Sequence, residues 1–143
     1  MVTTAAVEKV LGGLRKAPRG ASGDLALARA VREGLPYAAL EHLIARGVID
    51  DAEIETYFIP RRTLYARRYK ATLSREQSDI VVRLARIQAL ADEVFGRRDE
   101  ARAWLREPNG ALGGQLPLAL LDTEEGGRLV EAALGRIAHG IVE

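Results

Sequence analysis

The stretch from Ser74 to Gly96, SREQSDIVVRLARIQALADEVFG, constrains the fold more than any other part of the chain. Ser74 followed three residues later by Gln77 has the form of a capping box, in which each side chain meets an orphan backbone amide at a helix start. Ile80, Leu84, Ile87, Ala91 and Val94 then hold one face at spacings of 4, 3, 4 and 3, and Gly96 supplies a stop. A long amphipathic helix must be covered by other elements. The rest of the chain offers helices for this: 3.6-residue patterns recur, period-2 alternation is nowhere sustained, and Ala, Leu, Arg and Glu dominate. The chain reads as all-α.

The shorter helices follow from their stops. Asp24 can cap a helix that runs through Val31 and ends at Gly34. Pro36 suits the first turn of the next, with Leu40, Leu43 and Ile44 as its stripe and Gly47 as its end. Asp50 or Asp51 starts a third, whose acidic opening matches the positive end of the helix dipole. Phe58, Ile59 and Pro60 break it, and RRTLYARRYK restarts the helix. A short helix spans about Asp99 to Leu105, and the last runs from Glu124 to about His139 with Val130, Leu134 and Ile137 on one face. Val7, Val10, Leu11 and Leu14 also fall at helical spacing, but Gly12 and Gly13 weaken that helix and RKAPRGASG follows. Residues 1–23 are therefore expected to be a flexible arm and linker, 24–73 a helix-turn-helix-like DNA-binding and dimerisation region, and 74–143 the long helix and a C-terminal binding domain.

Composition excludes several classes. The 143 residues suffice for one domain or two small ones on a shared core. No apolar run approaches the roughly 18 residues of a membrane span. The first residues lack the pattern of a secretory leader. With no cysteine, disulfides and thiolate metal sites are ruled out, and a cytoplasmic location is expected. A formal charge of +1 means that any nucleic-acid role must come from a local patch.

One such patch exists. From Pro60 to Arg75 there are six basic residues and no acidic one, whereas Asp50 to Ile59 holds four acidic residues and no basic one. Short helix, three-residue break, basic helix is the layout of a helix-turn-helix, whose second helix enters the major groove. Arg61, Arg62 and Thr63 sit at the start of that helix, with Arg67 and Lys70 one and two turns on. The alternative is a solvated basic helix whose arginines pair with the acidic segment before it. His42 and His139 match no metal spacing, the carboxylates Asp122, Glu124 and Glu125 are explained by a helix start, and GALGG lacks the Gly-Lys-Ser/Thr of a phosphate loop. No enzyme activity, metal or cofactor is expected.

The stretch EPNGALGGQLPLALLDTEEGG, Glu107 to Gly127, combines helix breakers with five leucines. Asn109 and Gly110 suit a tight turn, Gly113 and Gly114 allow positive φ, and Pro117 can begin a short helical turn. The leucines are expected beneath this turn, wedging the last helix against the long one. The wider pattern is Trp104-Leu105, Pro108-Asn109, Ala111-Leu112-Gly113-Gly114, Pro117, Leu120-Leu121, Thr123, Gly126, Val130, Leu134, Arg136-Ile137 and Gly140. With it, Ala103 to Glu143 resembles the toxin-binding domain of the Xre/MbcA/ParS-like antitoxins. RRTLYARRYKATLSREQSDIVVRLARI is similar to the helix-turn-helix part of the same family, so the resemblance covers about Asp24 to Glu143.

The resemblance implies an Xre-like helix-turn-helix bundle joined by a long helix to a small helical toxin-binding domain. It implies a type II antitoxin encoded beside a RES-domain toxin that consumes NAD or modifies protein with it. It further implies a homodimer within a larger toxin–antitoxin complex, and in many members repression of the operon. Trp104, Leu120, Leu121, Val130 and Leu134 are expected in the core. Asn109, Leu112, Gly113, Gly114, Arg136, His139, Gly140, Ile141, Val142 and Glu143 are the expected toxin contacts. Val81, Val82 and Phe95, which spill beyond the stripe of the long helix, suggest a dimer surface there. A stand-alone repressor without a toxin is the alternative.

Overall fold

A computed structural model describes residues 2–13 and 23–140, which form eight α-helices and two short 3-10 turns. The helices are α1 (Thr4–Val10), α2 (Gly23–Glu33), α3 (Tyr37–Ala45), α4 (Asp51–Tyr57), α5 (Arg61–Lys70), α6 (Arg75–Phe95), α7 (Arg98–Leu105) and α8 (Glu124–Ala138). The 3-10 turns, Gly110–Leu112 and Leu118–Asp122, lie between α7 and α8. The fold is all-α, as the patterning indicates.

Helix α6 starts as its sequence dictates. Ser74 Oγ accepts from the Gln77 amide at 3.1 Å, and Gln77 Oε1 accepts from the Ser74 amide at 2.9 Å. Gly96 ends it in the left-handed conformation, φ 70°. Helices α1, α2, α3, α7, α8 and the second 3-10 turn all pack on it. Enclosure by so many neighbours widens its buried face beyond one stripe. Val81, Val82, Leu84, Ala85, Ile87 and Ala91 are buried, while Ile80 and Val94 are only partly covered. This corrects the expected dimer surface, since Val81 (0% exposed) and Val82 (6%) are consumed by the chain's own core and Phe95 packs its ring 5.9 Å from Trp104.

The N-terminal segment also departs from expectation. Val7, Val10 and Leu11 are buried, Thr3 caps α1 through the Ala6 amide at 3.1 Å, and the Thr4 hydroxyl donates to the Asp24 carboxylate. The three apolar residues outweigh the glycines, which fall after the helix and end it with φ of 88° and 79°. So α1 belongs to the body of the fold and is no loose arm. Of the expected linker, Gly23 opens α2 and residues 15–22 lie outside the described residues.

The turn between α2 and α3 is tied by backbone to the segment that follows α5, and by a side chain to α6. Leu73 N donates to Leu35 O at 2.8 Å, Tyr37 N to Ala71 O at 2.9 Å, and Leu35 N to the buried Ser78 Oγ at 2.8 Å. At the other end, Thr123 Oγ1 caps α8 by accepting from the Gly126 amide at 3.0 Å. A Cβ on Gly126 would lie 1.8 Å from the Leu120 carbonyl oxygen, which is backbone and cannot give way cheaply. Gly126→Ala is therefore expected to lower stability by at least about 2 kcal/mol, the scale of overpacking in a closed core. A shifted urea midpoint checks this, and an unchanged midpoint contradicts it.

Candidate interaction surfaces

The segment between α7 and α8 is a closed turn on a leucine bed. Asn109 N donates to Gln115 O at 3.0 Å and Gly114 N to Asn109 O at 2.8 Å, so the turn returns on itself. Asn109 Oδ1 accepts from the Ala111 amide at 2.9 Å and starts the first 3-10 turn. Gly113 and Gly114 then reverse the chain with φ of 68° and 80°. No heavy atom outside their immediate neighbours lies within 4 Å of where either Cβ would stand, so both expose bare backbone to solvent. Beneath, Leu112, Leu118 and Leu121 are buried. Pro117, with φ −53° and ψ −41°, precedes the second 3-10 turn as expected. Leu112, at 8% exposure, is part of that bed.

Arg83 of α6 fixes the far side of this turn. Its Nη1 donates to Leu121 O at 2.9 Å and its Nη2 lies 3.5 Å from Glu124 at the start of α8. Sequence patterning had no means of finding it, since its partners lie 38 and 41 residues away. On α8, Arg136 is partly exposed and His139 and Gly140 are exposed, while Val130 and Leu134 are core. Trp104 and Leu120 are partly buried against the core rather than within it. Ile141, Val142 and Glu143 lie outside the described residues.

The second surface is α5. It has no fully buried residue, and its only charged side chains are basic. The five residues proposed for DNA contact are all on it, but they do not share a face. Arg61 pairs with Glu55 of α4 at 3.0 Å, which realises in part the alternative of pairing with the acidic segment. Arg67 turns inward and donates through Nε to Thr72 O at 3.1 Å, closing the helix end. Arg62, Thr63 and Lys70 are exposed. Arg68 lies near Tyr37 of α3, whose phenol is raised above its ordinary range mainly by burial and by Glu41, with Arg68 opposing. His42 rests its ring against Gly12. Among the described residues, no group of three His, Asp or Glu side chains is placed to hold a metal ion, and no helix is long and apolar enough to cross a membrane.

A row of arginines joins α7 to the turn between α3 and α4. Arg98, Arg102 and Arg106 recur every four residues from the start to the end of α7 and meet the turn between α3 and α4. Arg98 Nη1 donates to Arg46 O at 3.2 Å, and the Arg102 guanidinium lies over Gly47. Arg106 forms a bidentate pair with Glu53 (2.8 and 3.1 Å) and donates to Val48 O at 3.0 Å. Glu53 is also the capping-box residue of α4, accepting from the Asp50 amide at 3.1 Å. The pair is about four-fifths covered on each side. Arg106→Ala is expected to cost about 2 kcal/mol, the scale of hydrogen bonds to a charged group. Because each single change leaves the other charge unmet, Arg106→Ala with Glu53→Ala should cost less than the two separate losses. Denaturation of the four proteins measures this, and simple additivity contradicts it.

Comparison with known proteins accounts for both halves of the chain. Residues 26–86 match the antitoxin Xre-like helix-turn-helix domain, and residues 90–140 match the antitoxin Xre/MbcA/ParS C-terminal toxin-binding domain. The two matches meet inside α6. The chain is 34% identical over 120 residues to an antitoxin Xre of Pseudomonas putida, covering 83% of this chain and 75% of that one. It is 30% identical over 124 residues to an antitoxin Xre of Yersinia enterocolitica, covering 85% and 84%. It is also 36% identical over 77 residues, 48% of each chain, to a Sphingobium protein named Prs ADP-ribosylating antitoxin. With both domains present in order and a relative aligned along most of each chain, this protein belongs to the Xre antitoxin family.

Proposed function

We propose that this protein neutralises a RES-domain, NAD-consuming toxin encoded beside it by covering the entrance to the toxin's active site. The covering surface is the turn carrying Asn109, Gly113 and Gly114 together with the end of α8, namely Arg136, His139, Gly140 and the tail Ile141, Val142 and Glu143. One observation carries this reading: within the segment matching the toxin-binding domain, the Gly113–Gly114 backbone is bare and solvent-facing while the leucines below hold it rigid. A preorganised backbone surface binds without the ordering cost of a flexible loop. The relative named for ADP-ribosylation supports a partner that uses NAD. The protein acts by binding, in the cytoplasm and without a cofactor.

A second activity belongs to the same proposal. Helix α5, with Arg62 and Lys70 in no ion pair with a described residue, supports repression of the operon by contact with operator DNA, with the two-copy assembly implied by the family supplying paired half-sites.

The test is NAD loss catalysed by the neighbouring gene's product, with and without this protein. Loss is expected to stop near a stoichiometric ratio. NAD loss that is unaffected by the protein removes the antitoxin reading and leaves a stand-alone repressor. A protein lacking Ile141 to Glu143 should keep the same unfolding midpoint and neutralise at least ten-fold less well, about 1.4 kcal/mol of binding. Undiminished neutralisation by that protein takes the tail out of the interface.

A further inference from the structure

The outward face of α5 is made by Arg62, Tyr65, Ala66, Tyr69 and Lys70, which recur at i, i+3, i+4, i+7 and i+8 and are all exposed. Its centre is aromatic. Tyr65 is 54% exposed and Tyr69 79%, among the few large apolar side chains that the described residues leave in water. Their rings are set edge to face, centroids 5.6 Å apart at 77°, with the hydroxyls 3.5 Å from each other. Such a pair is already ordered before any partner arrives. The fold does not use it, because α5 meets the core through Leu64, while Tyr65 and Tyr69 stay exposed.

Its surroundings select the partner. Arg61 is paired with Glu55 across solvent, and Arg67 donates through Nε to Thr72 O. Arg62 and Lys70 make no ion pair with a described residue, and α5 has no carboxylate of its own. A second copy of this chain docking through α5 would bring like charges together. A polyanion with flat apolar edges fits instead. We propose, resting on the operator reading above, that Tyr65 and Tyr69 are the sequence-reading side chains of α5 on duplex DNA. Their rings pack on thymine 5-methyl groups in the major groove and their hydroxyls bond to a phosphate or base edge, while Arg62 and Lys70 take flanking phosphates. Arg61 and Arg67 are not readers.

The experiment measures binding of the full chain to a labelled duplex from upstream of its own gene and to a scrambled duplex of equal length. Tyr65→Ala and Tyr69→Ala are each expected to weaken binding to the upstream duplex about ten-fold, the scale of a base-edge contact, with little change on the scrambled one. Arg62→Ala should weaken both duplexes alike. Tyr65→Phe and Tyr69→Phe should retain the ring's share of the preference. If both alanine variants bind the upstream duplex within two-fold of the unchanged protein while Arg62→Ala binds worse, α5 still contacts DNA and the tyrosine assignment falls. If the unchanged protein shows no preference between the duplexes, the operator reading falls and takes this inference with it. Alanine variants that keep the preference but lose the toxin would assign the pair to a protein contact and overturn the proposal. Because both rings are exposed, the circular dichroism of all variants should match that of the unchanged protein.

Discussion

The rest of the structure depends on the burial of α6. Its Val81, Ala85 and Ala91 are fully buried, and Val82, Leu84 and Ile87 nearly so. Each large apolar side chain removed from water contributes on the order of 1.5–3 kcal/mol. No other helix touches so many partners, and without α6 the short helices lose the surface on which most of them pack. The two family segments also meet inside it, between residues 86 and 90. The helix-turn-helix half and the toxin-binding half therefore share a single wall rather than hanging on a linker. One hydrophobic core runs from Val7 of α1 to Leu134 of α8.

A shared wall fixes the position of each half but leaves their far edges free to rock. The arginine row of α7 closes that freedom at the α3–α4 turn. A guanidinium with five donors is costly to cover unless most of them are met, and Arg106 meets Glu53, Val48 O and Arg102 O. Since Glu53 also caps α4, the start of the helix-turn-helix is set by a residue two positions before the Pro108-Asn109 turn. The end of α7 and the start of α4 are thus held in one charged network, whose strength comes from geometry and partial burial rather than from charge alone.

Much of this was legible in the sequence because it is local. The capping box at Ser74 and Gln77, the stops at Gly34, Gly47 and Gly96, and the reversal at Gly113 and Gly114 each rest on residues within a few positions of one another. The leucines under the turn were legible because a solvated loop has no use for them. What failed was tertiary. The role of Val7, Val10 and Leu11 was underweighted beside two glycines, although buried apolar area outweighs a flanking propensity cost of about 1 kcal/mol. The working face of α5 could not be read from residue types, since arginines point in every direction, and only Glu55 and Thr72 O decide which are occupied. Arg83 and Arg106 act on carbonyls and carboxylates distant in sequence, and no period announces that.

The two candidate surfaces share one physical design. Helix α5 has no fully buried residue and meets the core only through the partly buried Leu64, and the Gly113–Gly114 reversal has no side chain to bury, so neither is held mainly by its own packing. Each is held at its ends. Helix α5 enters through Pro60, which sets the first turn, and leaves through Ala71 in the left-handed region at φ 59°, a conformation that disfavours a side chain. That strain of about 1 kcal/mol is tolerated because Tyr37 N bonds to Ala71 O and Leu73, itself buried, bonds to Leu35. The turn is closed by Asn109 and Gln115 and anchored through Leu121 to Arg83 of α6. An element fixed at its ends leaves its middle available for a partner without loosening the core.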